Sequence, residues 1–177
     1  LILPEITERE RVEMLDEKGT IYERHYLASV KPFDGVRDVF KSLSDVGGRV
    51  ALATDCKGRA FKRYMSIIDA DNFIAATACG DDVEYGKPDP RLVGMALRKL
   101  ALPAARCVMI GDTPYDAEAG LEAGTKAAGV LTGGFGFDVL SEAGCLAVAN
   151  DLAGLVKNLL LGDETLLLDQ PDRLRSA

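Results

Sequence analysis

Asp112 and Asp116 stand in the string Gly111-Asp112-Thr113-Pro114-Tyr115-Asp116, directly after the apolar run Cys107-Val108-Met109-Ile110. The run reads as a short buried parallel strand. Thr113 and Pro114 read as the N-cap and first position of a helix that Gly124 ends. Asp116 lies one helical turn beyond the strand end, so both carboxylates can face one point above the sheet edge. Two acids at such a point, with few cationic neighbours, suit a hard divalent ion that takes oxygen ligands. Asp116 also suits a plainer role, because an acid in the first turn is favoured by the helix dipole.

Two other strand ends carry groups suited to an anion. Thr54 follows Val50-Ala51-Leu52-Ala53 and precedes Asp55-Cys56-Lys57-Gly58. A hydroxyl and backbone N–H groups at the opening of a helix form a phosphate cradle, and the same threonine equally suits an N-cap. Lys87 lies in Tyr85-Gly86-Lys87-Pro88-Asp89-Pro90, where glycine and two prolines constrain the turn. A lysine so constrained can be aimed at an anion, whereas an unconstrained one is left to solvent.

The elements that must hold these residues alternate from Asp34 onward. Helices are expected near 35–46, 58–69, 89–100, 114–123, 136–143 and 151–161. Strands are expected at 49–53, 73–77, 107–110, 127–131 and 146–148. The alternation implies an α/β fold, a doubly wound parallel sheet with right-handed crossovers, with its site beyond the carboxyl ends of the strands. Residues 1–31 differ: they are charge-rich and carry two capping-box patterns, Thr7-x-x-Glu10 and Thr20-x-x-Glu23, on either side of Gly19. They read as two helices, 7–18 and 20–30, with Val12, Leu15, Tyr22 and Tyr26 near one stripe, forming a unit separate from a core at 32–162. Residues 163–177 form a tail in which Leu166–Leu168 can pack on the body.

Composition narrows the function. The 177 residues carry a formal net charge of −7, which argues against a nucleic-acid or anionic-membrane surface. A small anionic substrate stays compatible, since one lysine and a metal reverse the local field. Four scattered cysteines without a CxxC pair, and a single histidine, His25, disfavour zinc and point to reduced thiols in the cytoplasm. No apolar run approaches membrane-spanning length and no secretory signal is visible.

Thr54 at the end of Ala-Leu-Ala-Thr, Lys87 in Gly-Lys-Pro-Asp-Pro, and the Gly-Asp-x-x-x-Asp of Asp112 and Asp116 occur in the order and spacing of the second, third and fourth motifs of the haloacid dehalogenase-like hydrolase superfamily, which the chain resembles over about residues 20–160. Pro32-Phe33-Asp34-Gly35-Val36 looks like the return from a helical cap into the core, as in the phosphoglycolate phosphatase and β-phosphoglucomutase type. The resemblance implies a Rossmann-like core with a helical cap and a Mg²⁺-dependent phosphatase acting on a small phosphorylated metabolite. It implies that Thr54 and the Asp55 N–H hold phosphoryl oxygens, that Lys87 neutralises the reacting groups, that Asp112 ligates Mg²⁺, and that Asp116 is a ligand or holds the ion's water.

The family's first motif, an apolar strand leading to DxDG[TV] with the nucleophilic aspartate, does not occur. Asp16-Glu17-Lys18-Gly19-Thr20 is the nearest string, and it falls in a helical pattern with Lys18 where the second aspartate belongs. The resemblance therefore implies a core incomplete at its first strand, two open strand edges, a remnant of the cap, and an N-terminally truncated chain that does not turn over substrate alone. A sugar-phosphate mutase shares the scaffold. So does a non-catalytic regulatory domain that keeps the metal and phosphate cradle.

Overall fold

Apolar runs and caps fold into helices and strands close to the expected bounds. The computed structural model describes residues 6–160. Helix α1 spans Glu8–His25, α2 Val36–Asp45, α3 Gly58–Ile68, α4 Arg91–Leu100, α5 Pro114–Glu122, α6 Phe137–Glu142 and α7 Leu152–Leu160. Strands are β1 Val50–Thr54, β2 Ile74–Cys79, β3 Val108–Gly111, β4 Lys126–Val130 and β5 Val148–Ala149. The expected tail at 163–177 lies outside the described residues.

The strands form two parallel sheets. β1 pairs with β2, setting Thr54 opposite Cys79, and β3 pairs with β4, setting Gly111 opposite Gly129. β4 pairs in turn with β5. No ladder joins β1 to β3 among the described residues, so the continuous sheet of a doubly wound fold is parted at its middle.

Separate apolar clusters cover the two faces. On one, Val39 and Phe40 of α2 and Val156 of α7 pack with Leu52 of β1 and Ile68 of α3. Leu155 of α7 joins Ala128 and Val130 of β4, with Ile110 of β3 against them, so α7 roofs both half-sheets. On the other face, Leu92 and Ala96 of α4 pack on Ala78 of β2 and on Ala51 and Ala53 of β1. Fully burying a leucine such as Leu92 or Leu155 contributes about 1.5–3 kcal/mol.

Residues 8–25 depart from the expected pair of helices. They form one helix that runs through Gly19. The Thr7–Glu10 capping box forms, with the Thr7 N–H donating to Glu10 Oε2 at 2.8 Å. Thr20 starts no new helix; its hydroxyl donates back to the Asp16 carbonyl at 3.0 Å. One interior glycine costs only about 1 kcal/mol relative to alanine, too little to break a helix capped this well. Val12, Leu15 and Tyr26 of the expected stripe are exposed, as is Asp16. A hydroxyl pair, Tyr64 to Tyr22 at 2.9 Å, ties α1 to α3. Burial, and then that bond, push the Tyr64 phenol well above its ordinary value. Among the described residues no helix is long and apolar enough to cross a membrane.

Candidate active site

Both half-sheets present their carboxyl ends to one cleft of about 510 Å³, whose walls include Ala53, Asp55, Lys87, Ile110, Asp112 and Asp116. β1 ends at Thr54, which is not among the residues lining the cleft, whereas Asp55, directly after it, is. β3 delivers Asp112, and the first turn of α5 delivers Asp116.

Lys87 is the hinge of the arrangement. Its ammonium donates to Asp116 Oδ1 at 2.7 Å and to the Ala53 carbonyl at 3.2 Å, and it lies 3.7 Å from Asp55 Oδ2. The Lys87 side chain is only 14% exposed and that of Asp116 9%, so the pair is shielded from solvent and the charges are strongly coupled. The backbone fixes the lysine as well: the Lys87 N–H donates to Asp55 Oδ1 at 3.0 Å, and the Lys87–Pro88 peptide is cis. Lys87 is among the residues that line the cleft.

Asp116 is held from the other side by its own helix. Its Oδ2 accepts from the Thr113 N–H at 3.1 Å and from the Thr113 hydroxyl at 2.8 Å, closing a capping box at the start of α5. Both of its oxygens are therefore engaged by protein. Asp112 is different. Its carboxylate accepts one hydrogen bond, from Thr132 Oγ1 to Oδ2 at 3.3 Å, which leaves most of its lone pairs for a ligand.

Glycines set how closely these acids are approached. A Cβ on Gly111 would collide with the Asp116 side chain, and one on Gly133 would sit 2.5 Å from the Asp112 carbonyl oxygen. The Gly133-Gly134-Phe135-Gly136 turn thus touches the site through its first residue.

The chemistry of the donors bears on magnesium. Among the described residues no cluster of three or more acidic, histidine or cysteine side chains could hold a metal. Magnesium binds through one or two carboxylates, keeps several waters and takes the rest of its shell from phosphate oxygens. Asp112 fits that pattern as a ligand, while Asp116 is turned toward Lys87 and Thr113. Thr54, expected to hold phosphoryl oxygens, accepts the Cys56 N–H at 3.2 Å.

Sequence reasoning overlooked the Asp55 carboxylate, which organises the lysine loop, and Thr132, which touches Asp112. Both follow a strand end directly or within two residues, and that position was the available signal. His25 sits at the exposed end of α1, edge-on to Tyr26. The Cys56 thiol is pushed up in pKa, chiefly by burial, which makes it a poor nucleophile.

The family model described as haloacid dehalogenase-like hydrolase matches residues 2–130. Pyrophosphatase PpaX of Anoxybacillus flavithermus is 32% identical over 127 residues, covering 71% of this chain and 59% of that protein. N-acetylmuramic acid 6-phosphate phosphatase of Pseudomonas aeruginosa is 30% identical over 123 residues, covering 70% of this chain and 53% of that protein. The chain thus spans a little over half the length of these curated relatives. The crystal structure of a hydrolase from Pseudomonas syringae superposes with a TM-score of 0.81 at 28% identity, covering 90% of this chain and 76% of that one.

Proposed function

The chain belongs to the haloacid dehalogenase-like hydrolase family, and from that premise we propose that its cleft receives the phosphoryl group of a small phosphorylated metabolite beside Mg²⁺, as part of a phosphatase. One observation carries the reading: a shielded lysine, clamped at 2.7 Å by a buried carboxylate, stands on the same cleft wall as an acid with free lone pairs. In this reading Lys87 binds phosphoryl oxygens and Asp116 fixes its ammonium in place. Thr54 and the Asp55 N–H complete the cradle. Asp112 holds the metal, with Thr132 orienting its carboxylate. Magnesium, when bound, supplies the positive charge that brings an anion to an acidic protein and stabilises the charge of phosphoryl transfer.

Hydrolysis by this family's route also needs a carboxylate nucleophile. The sequence contains no DxDG[TV] string, and its nearest approximation lies on exposed α1. We therefore assign the chain alone phosphoryl binding without turnover.

Titration calorimetry of the 177-residue chain with inorganic phosphate tests the site. Binding should require Mg²⁺ and fall by more than about tenfold in Asp112→Asn and in Lys87→Ala, a loss of at least about 1.4 kcal/mol. Phosphate affinity unchanged in both variants would sink the assignment. A phosphate-ester screen in parallel should show no turnover; turnover abolished by Asp112→Asn would instead make this chain a complete catalyst.

A further inference from the structure

Two of the four cysteines approach one another away from the residues that line the cleft. Cys56 lies two residues past the end of β1, and Cys79 is the last residue of β2, the strand paired with it. Thr54 stands opposite Cys79. Beyond that rung the two chains stay joined, since the Gly80 N–H donates to the Cys56 carbonyl at 3.0 Å. Backbones paired in this way run about 4.8 Å apart, inside the roughly 4.4–6.8 Å between Cα atoms that a disulfide spans.

The two side chains also share a face. Ala78 packs with Ala53 against α4, so its neighbour Cys79 points to the other face of the sheet, where Leu52 meets Ile68 of α3. Cys56 lies toward α3 as well, and its charge adds to the rise in the Tyr64 phenol there. One carboxylate oxygen draws the two regions together. Asp81 Oδ2 accepts the N–H of Gly58, two residues beyond Cys56, at 2.8 Å, and it accepts from Cys79 Sγ at 4.0 Å. Burial is the main cause that raises the Cys56 thiol, and the charges of Cys79 and Asp81 raise it further, so the two sulfurs sense each other. Both cysteines are half-buried, which leaves them open to a small reagent.

We propose that Cys56 and Cys79 form a dithiol modification site, which a disulfide oxidant such as oxidised glutathione closes to an intramolecular disulfide that locks residues 55–58 to residues 79–81. One thiolate attacks a sulfur of the oxidant, forms a mixed disulfide and expels one glutathione thiolate. The second thiolate then attacks the protein sulfur of that mixed disulfide and expels the other. Two electrons pass from the protein to the oxidant, and the two thiol protons end on the two glutathiones. The lock would hold the run that follows Thr54, with Asp55 inside it. The pairing does not rest on the phosphatase reading.

The test incubates the full 177-residue chain with oxidised glutathione, blocks the remaining thiols and maps the disulfides by mass spectrometry. The map should show a Cys56–Cys79 cross-linked peptide with no glutathione on either residue. Amide exchange at Gly58 and Gly80 should slow at least about tenfold on oxidation. Cys56→Ser and Cys79→Ser should each abolish that slowing and leave the remaining cysteine of the pair as a stable mixed disulfide. Should either variant fail to fold, the map and the exchange of the native chain decide alone. Glutathione retained on both cysteines overturns the proposal, as does pairing of either with Cys107, Cys145 or a second copy. Equal exchange in the oxidised and reduced chains overturns it too.

Discussion

The two half-sheets divide the work of the cleft unequally. The β1–β2 half is thin: every residue of β1 is only half-buried, and its own cluster is built on Ala78, Leu92 and Ala96. It supplies the cation, through a lysine loop tied back to Asp55 and Ala53. The β3–β4–β5 half is denser, with Ala127 to Val130 all buried, and it supplies the acids. Among the described residues no ladder joins the halves, and the ion pair of Lys87 with Asp116 and the cover of α7 link them. A site assembled at such a seam owes its geometry to side chains, and each half can be perturbed separately.

The sharpest way to break the comparison is to hollow out each half in turn. Leu92→Ala and Leu155→Ala each remove a fully buried side chain and should each cost about 2–5 kcal/mol in urea unfolding. Exchange mapping should show Leu92→Ala loosening β1, β2 and α4 while β4 stays protected. Leu155→Ala should loosen β3 to β5 first. Uniform loss of protection in both variants would mean one cooperative unit, and the division would fail.

A smaller effect is expected within the dense half. Thr113→Ala removes the cap of α5 and one of the bonds holding Asp116, for a loss of about 1 kcal/mol. Because Lys87 still grips the other oxygen, phosphate affinity should fall less than stability does. Thermal melts and calorimetry on the same samples check this, and Thr113→Ser should restore both.

The smallest effect belongs to the thin half. Hydrogen bonds from the Arg91 side chain, and next from its backbone N–H, pull the Asp89 carboxyl down to about 2. A folded-state value below the unfolded one contributes stability that is present above the ordinary carboxylate range and lost as pH falls through the folded value. Asp89→Asn should therefore flatten the acid limb of the stability curve between about pH 4 and 2. Asp89 lies near the surface, so the change should be slight; an unaltered acid limb would remove any role for the pair.

Much of this was legible because chemistry here sits where local patterns end. Thr54, Asp112 and the helix starting at Pro114 each follow an apolar run, and strand length and capping placed them to within a residue or two. What Asp55 and Thr132 touch was not legible. Asp55 meets Lys87 across 32 residues of sequence and Thr132 meets Asp112 across 20, contacts that no local pattern records. Gly19 misled for the opposite reason, since a breaker in sequence was overruled by a well-capped helix. Alternation of helix and strand carries no information about which strand edges find partners; the expectation of two open edges came from the absent first motif, and among the described residues no ladder joins β1 to β3.

Gly111 and Gly133 carry no functional atoms, yet each abuts a carboxylate-bearing residue so closely that a single methyl group would displace it. The acid pair is therefore not a portable module. Anyone grafting Asp112 and Asp116 onto another scaffold would have to transplant the two voids beside them, because the spacing of the acids is set by side chains that are missing.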